Sequence, residues 1–355
     1  MKDIMVVFTG GTIGSTSQGS AIDVEASGSY MIIDQFKEQY DLEATFDTIQ
    51  PMNILSENLT AQQWLVLAEQ IRAIPQEKYA GIIVTHGSDT LAYSAAMMGY
   101  LLADTTIPIV LIASNYPLAD ERANGLRNFS EAVQWITLEA PPGVFATYEN
   151  DRGECQLYLA TRLMQCEPFT DQFRSPYELT LGTLKQGSLN WTEDERNPAL
   201  HQLGPANSVW TERLKQVREL ADSIVYIKPF PGLNYDLYQW NTSKPKAIVH
   251  DLYHSGTACS LEEGPYSLPA FIRRCRAEGI DVYLTPAKRS EDMQYATTTK
   301  LFEAGAVLLG GMAPEAAMTK LMLAYALLDS HDYEQIITFM TQEELYYELH
   351  LPSRP

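Results

Sequence analysis

Continuous apolar runs alternate with helical periodicity along the first half of the chain. Residues 4–8 are apolar without interruption and predict a buried strand. They run directly into Thr9-Gly10-Gly11-Thr12-Ile13-Gly14, a turn too rich in glycine to be helix. A second short apolar run ends at 54–56. Thr60 then reads as an N-cap, with Gln63 three residues on to complete a capping box. Trp64, Leu67, Ala68 and Ile71 follow at helical spacing, and Pro75 stops that helix. Next come a strand at 81–85, a loop at 86–90, an apolar helix at 91–102 and another buried strand at 107–113.

Continuously apolar strands between helices argue for an α/β fold. The expectation is a large amino-terminal doubly wound domain built on a mainly parallel sheet. Ligands of such sheets bind in the loops beyond the carboxyl ends of the strands. The segments 9–14, 56–58 and 86–90 each follow a predicted strand, so topology alone can bring them to one crevice. Residues 176–212 are polar and turn-rich, with Asn190, Asn197, Pro198, Gly204 and Pro205, and read as the end of that domain plus a linker. A second α/β pattern has strands at 224–227, 247–249 and 282–284 and a helix at 268–277. Another helix at 314–328 carries Ala317, Leu321, Ala324 and Leu328 on one face. The expected division is a domain over 1–200, a linker region over 201–222 and a smaller carboxyl-terminal α/β domain over 223–355.

Charge narrows the partners. Asp and Glu number 45 against 25 Lys and Arg, a formal charge of -20. Such a surface repels phosphate backbones, so neither nucleic acid nor an anionic membrane is an expected partner. The apolar run at 4–8 is shorter than the ~7–15 residues of a signal-peptide core. No run approaches the ~18 residues of a membrane span. A cytoplasmic chain is the expectation. Cys155, Cys166, Cys259 and Cys275 are scattered, with no C-x-x-C and no helical His partner. Reduced thiols are expected, and no metal site.

Three short motifs carry hydroxyls or carboxylates. Gly10-Gly11-Thr12 sets a hydroxyl among glycines whose amides can approach a ligand, a pairing suited to attack on a carbonyl and to holding the oxyanion. A plain tight turn or a phosphate loop fits the same residues, although no G-x-G-x-x-G and no Walker lysine is present. His86-Gly87-Ser88-Asp89-Thr90 puts a second hydroxyl beside a carboxylate. Asp89 could accept a substrate ammonium, orient Ser88 or cap the following helix. His86 reads better as a structural histidine than as part of a Ser/His/Asp triad. Ser56-Glu57-Asn58 offers a further hydroxyl and carboxylate, residue types that also suit a helix start.

Together these motifs resemble the bacterial-type asparaginase and glutaminase family. Residues 6–14, with Thr9-Gly10-Gly11-Thr12-Ile13-Gly14, resemble its first signature, and residues 84–90 its second, usually H-G-T-D-T. Ser56 falls where the family has its substrate-binding serine. Asn124-Gly125 with Asn128, Thr161-Arg162, Phe173-Arg174-Ser175-Pro176, Pro231-Gly232, residues 253–258 and Tyr295-Ala296-Thr297 extend the resemblance over nearly the whole chain, in order.

The resemblance implies an amidohydrolase acting on asparagine, with no cofactor and assembly as a homodimer or homotetramer. Thr12 takes the place of the family's nucleophile. Ser88 and Asp89 take the places of its second threonine and aspartate. Ser56 would hold the substrate carboxylate, and Glu57 and Asp89 the α-ammonium, with Gly11 lining the site. Three positions depart from the pattern. Ser88 lacks threonine's methyl. The loop over 15–23 has no tyrosine, and Tyr30 is the nearest. Gln165 stands at the family's catalytic lysine, with one residue missing before Phe173, which leaves Arg162, Lys228 and Lys288 as candidate cations. Two other classes of function compete. One is a small-molecule binding protein that lost turnover with the lysine. The other is a nucleotide-binding protein or oxidoreductase, which the missing dinucleotide fingerprint disfavours.

Overall fold

The apolar run at the amino terminus becomes strand β1 (Asp3–Phe8), whose residues 4–8 are buried. The computed structural model describes residues 2–11, 13, 15–18, 21–24, 28–138, 140–150, 153–287, 296–329 and 332–349. They form two units. The first takes the described residues up to Arg218 with Leu345–Tyr347, the second Glu219–Glu344 with Glu348 and Leu349.

In the first unit, a short antiparallel hairpin of β2 (Ser15–Gln18) and β3 (Ala21–Val24) follows β1, where sequence predicts a loop. Then come α1 (Gly28–Gln39), β4 (Phe46–Ile49), α2 (Ala61–Arg72), β5 (Tyr79–Thr85), α3 (Leu91–Leu101), β6 (Pro108–Ile112), α4 (Gly125–Thr137) and β7 (Gly143–Glu149). Strands β4, β1, β5, β6 and β7 lie side by side in that order, all parallel. The expected helix after Thr60 forms as α2. Its Gln63 amide oxygen takes the Thr60 N–H at 2.5 Å and the Thr60 hydroxyl at 2.9 Å, and Trp64, Leu67, Ala68 and Ile71 are buried.

Helices α1 and α4 pack together on one face of the sheet. Phe36, Phe46 and Phe129 meet there with ring centroids 5.5–5.7 Å apart. Helix α3, with α2 packed against it, covers the other face. This is the doubly wound α/β arrangement expected from the alternating pattern. With β4 on one side of β1 and β5 on the other, the strand order reverses between β1 and β5, which is where such sheets open a crevice.

The chain continues with β8 (Cys155–Leu159), then a separate hairpin of β9 (Met164–Glu167) and β10 (Gln172–Arg174), then β11 (Gly182–Lys185) and β12 (Ser188–Trp191). Strands β8, β11 and β12 extend the sheet beyond β7, each antiparallel to the one before it in the sheet, and bring it to eight strands. Within 176–212, read in the sequence as polar and turn-rich, β11 and β12 are regular strands. Strand β12 carries no buried residue, so it has no apolar run to announce it. Helix α5 (Val209–Leu214) closes this stretch.

The second unit has a four-stranded parallel sheet, ordered β13 (Ile224–Ile227), β14 (Ala247–His250), β15 (Asp281–Ala287) and β16 (Val307–Gly310). Helices α6 (Leu268–Ala277), α7 (Ala296–Glu303), α8 (Pro314–Leu327) and α9 (Tyr333–Thr341) accompany it. Ile248, Phe271, Ile272, Val282 and Leu284 belong to its core. Ala317, Leu321, Ala324 and Leu328 are buried, as their spacing predicts. No helix among the described residues is long and apolar enough to cross a membrane.

His250 ends β14 fully buried, with Nε2 2.9 Å from the Tyr235 hydroxyl. Burial pushes its imidazole down to about 4. The unfolded chain takes up this proton near pH 6.5, well before the folded chain does, so acid favours unfolding between those values. Amide exchange along β14 is therefore expected to show opening that eases as pH falls from about 6.5 to 4. His250→Gln should remove on the order of 3 kcal/mol of that fall. An unchanged pH slope in the variant would show that another group sets it.

Candidate active site

The loop after β1 is knitted to its neighbours mainly through backbone. Gly10 and Gly11 have φ of 100° and 76°, a left-handed conformation that glycine adopts freely. The Ile54 N–H donates to the Thr9 carbonyl at 3.0 Å, and the Gly11 N–H to the Ile54 carbonyl at 3.1 Å. A Cβ at Gly10 would sit 2.5 Å from the Ile54 carbonyl oxygen. One at Gly11 would sit 2.6 Å from the Gly87 nitrogen. The Thr9 hydroxyl donates to the Thr85 carbonyl at 2.8 Å. The loops after β1, around Ile54 and after β5 therefore touch main chain to main chain.

Ser56 opens a single turn, Ser56–Asn58, and is buried, while Glu57 is exposed. A Cβ on Gly87 would collide with the Ser56 hydroxyl and lie 2.6 Å from its Cβ, so that side chain rests directly on Gly87. The Thr90 hydroxyl donates to the Ser56 carbonyl at 2.9 Å. Ser88–Thr90 forms another single turn, with Ser88 half-buried and Asp89 exposed. Asp89 does not cap α3, because Thr90 holds that position and no side chain caps the helix. The structure thus brings Gly11, Ser56, Glu57, Ser88 and Asp89 onto adjoining turns at the reversal of strand order. Thr12 lies outside the described residues. Its neighbours Gly11 and Ile13 are both buried. Gly14, Lys288 and Tyr295 are also outside the described residues, as is the Tyr30 side chain.

His86 is fully buried, with Nδ1 2.8 Å from the Gly87 carbonyl. That contact makes Nδ1 the protonated nitrogen of a neutral ring. Burial lowers the pKa, against the opposing hydrogen bond to Gly87. His86 is a structural histidine, as the sequence suggests. Asn128 has a framework task too. Its amide donates to the Ala113 carbonyl at 2.9 Å and accepts from the Glu149 N–H at 2.7 Å, tying together the ends of β6 and β7.

Gln165 on β9 places its amide Nε2 2.5 Å from the Asp89 carbonyl. The position where the family pattern has a lysine therefore does face the Asp89 turn, but with a neutral donor that engages the backbone. Arg162 is not available to replace the charge. It is buried, with Nε on the Tyr347 carbonyl at 2.7 Å and Nη1 on Asn197 Oδ1 at 3.1 Å. Lys228 is exposed in the second unit, just past β13. Sequence reading passed over Cys166, the next residue along β9. Burial, then the charges of Asp171, Asp89 and Glu167, push its thiol up to about 12, so it stays protonated beside the turn. Its only signal in the sequence is adjacency to Gln165. Among the described residues, no group of three or more His, Cys, Asp or Glu is gathered as a metal would need.

Residues 3–197 match the family model for the asparaginase amino-terminal domain. The chain belongs to the asparaginase family. It is accordingly an amidohydrolase. It is similar to L-asparaginase 1 of Escherichia coli, 26% identical over 353 residues that cover 96% of each chain. It is also similar to a subunit of the glutamyl-tRNA(Gln) amidotransferase of Pyrococcus horikoshii, 24% identical across 96% of this chain and 75% of that protein. Its fold matches the thermostable L-asparaginase from Thermococcus kodakarensis with a TM-score of 0.77. The two are 21% identical, with 98% of this chain and 99% of that one covered.

In this asparaginase-family chain the Ser56–Gly87 contact yields a sharp expectation. Gly87 has φ of -79°, which alanine adopts without strain, so Gly87→Ala acts only by displacing Ser56. Misplacement on this scale should reduce kcat/KM for amide hydrolysis by on the order of 10²-fold. Gly204→Ala is the control, because nothing lies within 4 Å of its added carbon. Ammonia release by both variants, with circular dichroism to check the fold, measures the difference. Equal activity would place Ser56 outside the site.

Proposed function

We propose that this chain hydrolyses L-asparagine to L-aspartate and ammonia through a covalent acyl-enzyme. The observation that carries the reading is the meeting of the Gly10–Gly11 loop, Ser56 and the Gly87–Asp89 turn through contacts that only glycine permits. In this reading the Thr12 hydroxyl attacks the side-chain amide carbon, and a backbone amide of the turn other than that of Gly11, which is held by Ile54, donates to the oxyanion. The C–N bond breaks, the nitrogen leaves as ammonia with the proton that the Thr12 hydroxyl gives up, and water hydrolyses the threonine ester to the acid and the free hydroxyl. Buried Ser56 takes the substrate α-carboxylate. The carboxylates of Glu57 and Asp89 take the α-ammonium, and Ser88 supplies the second hydroxyl. The substrate is a small amino-acid amide, and neither nucleic acid nor membrane takes part. No cofactor is invoked, and the cytoplasm is the compartment this reading assigns.

The likeness to one component of a glutamyl-tRNA(Gln) amidotransferase supports a second substrate, glutamine. One side-chain methylene separates the two and is worth only about 1–3 kcal/mol of discrimination. Ammonia release from each amide, measured side by side, decides between them.

Thr12→Ala should lower hydrolysis of the preferred amide by several orders of magnitude while the melting curve stays in place. Near-normal ammonia release from a folded variant would remove Thr12 as nucleophile.

Gln165 directs the second expectation. A neutral amide cannot carry a proton as an ammonium does, so wild-type turnover should be modest and biased to alkaline pH. Gln165→Lys should raise kcat, toward the ~10²–10⁴-fold that a positioned proton carrier supplies, and change KM less. A neutral or harmful effect would show that another group already carries the proton.

The assembly in this reading is a homodimer or homotetramer. Sedimentation at assay concentration tests it, and a fully active monomer would contradict it.

A further inference from the structure

A polar cleft of about 310 Å³ opens in the first unit, lined in part by Asn150, Tyr158, Phe173, Arg174, Ser175 and Glu178. The catalytic reading uses none of these residues. The hydrogen bonds of its wall fix what the cleft presents. The Tyr158 hydroxyl donates its one proton to the Phe173 carbonyl at 3.1 Å. Only lone pairs are then left for Asn150, so Asn150 must turn its NH₂ group to the Tyr158 oxygen, at 3.0 Å, and to the Phe173 carbonyl, at 3.4 Å. Flipping the amide would set oxygen against oxygen. Asn150 Oδ1 is therefore an acceptor, and it is buried with no partner among the described residues. The Ser175 hydroxyl is in the same condition, on a residue only 4% exposed.

Charge selects the ligand. Arg174 already faces Glu167 at 3.3 Å. Glu178 is exposed and has no ion-pair partner among the described residues. It sits in a turn where Tyr177 and Glu178 both hold left-handed backbone, with φ of 60° and 55°. Two such residues in succession are costly, and such strain clusters where a ligand is clamped. The Arg196 guanidinium stacks 4.8 Å from the Tyr177 ring centre and steadies that turn. The wall thus offers a buried acceptor, a buried hydroxyl and an unpaired carboxylate. Buried polar groups of this kind are normally satisfied. The volume is on the order of ten times a water molecule's ~30 Å³ share of the liquid, which leaves room for more than a single bridging water.

We propose that this cleft binds a small primary alkylammonium compound, whose N–H groups donate to Asn150 Oδ1, the Ser175 hydroxyl and the Glu178 carboxylate. The proposal does not depend on the hydrolytic reading, and its test uses no activity measurement. Full-length protein is titrated with ethylammonium chloride at constant ionic strength, followed by saturation-transfer NMR. Tetramethylammonium, which has the charge but no N–H, serves as competitor. Saturable binding that tetramethylammonium fails to displace is expected. Ser175→Ala and Glu178→Gln should each weaken it about tenfold, as for a lost hydrogen bond to a charged group. Ser175→Ala breaks no internal hydrogen bond and Glu178→Gln changes an exposed side chain, so both should keep the wild-type melting curve. Absence of saturation, equal competition by tetramethylammonium, or wild-type binding in both variants would overturn the proposal.

Discussion

Three glycines decide whether the crevice exists. At Gly10, Gly11 and Gly87 a single added carbon would strike, in turn, the main chain of Ile54, the main chain of Gly87 and the side chain of Ser56. Against main chain, at Gly10 and Gly11, packing is too tight for the collision to be absorbed locally, so the loops would have to part, and with them the hydrogen bonds that join Thr9 and Gly11 to Ile54. At Gly87 it is the Ser56 side chain that would be displaced. Everything assigned to the site rests on that approach. Ser56 is held because it lies on Gly87, and Asp89 is placed because its turn is anchored through Thr90 to the Ser56 carbonyl. The sheet supplies the location, between β1 and β5, and the glycines let three loops share it.

The parts legible in the sequence are those whose signal is local. Strand β1 and helix α2 follow from apolar runs and capping residues, and their neighbours confirm them in space. The three loops could be assigned to one crevice because each follows a strand and parallel sheets open at that end. Strands β11 and β12 escaped notice because a half-exposed edge hairpin needs few apolar residues, and its pairing with β8 is a long-range fact. The return of Leu345–Tyr347 to the first unit was equally hidden. There the Tyr346 hydroxyl accepts the Val144 N–H at 2.5 Å and donates to the Val144 carbonyl at 3.1 Å, across about two hundred residues of chain. The alkylammonium cleft was beyond reach for the same reason. The motif Phe173-Arg174-Ser175-Pro176 was visible, but the orientation of Asn150 was not. That orientation depends on where Tyr158 sends its proton.

Gln165 is the position at which sequence and structure inform each other most. In sequence it is only a departure, a neutral residue where the family pattern has a lysine. In space its amide holds the Asp89 carbonyl, so the place keeps a positioning task without the charge. Arg162, the nearest cation in sequence, is committed to the Tyr347 carbonyl and Asn197. Both Glu57 and Asp89 are exposed, and the chain carries a net charge of -20, so the crevice is anionic before any ligand arrives.

That electrostatic balance bears on how a substrate would be held. A carboxylate exposed to water gains little from a distant cation, because solvent and salt screen the pair. A ligand ammonium that enters the crevice displaces water and meets the carboxylates at hydrogen-bonding range, where charge-assisted bonds are strongest. The countercharge that a resident lysine would provide then comes from the ligand, and only while it is bound. In the proposed reading, such a site would discriminate between amides with and without a free α-ammonium, because the Glu57 and Asp89 carboxylates would lose their countercharge without it. In that reading it would be correspondingly poor at moving protons once the ligand is seated, since the substrate's own ammonium would be engaged in binding. Tight selection for the amino-acid end and slow chemistry at the amide end would then have the same origin, the exchange of a charged side chain for Gln165.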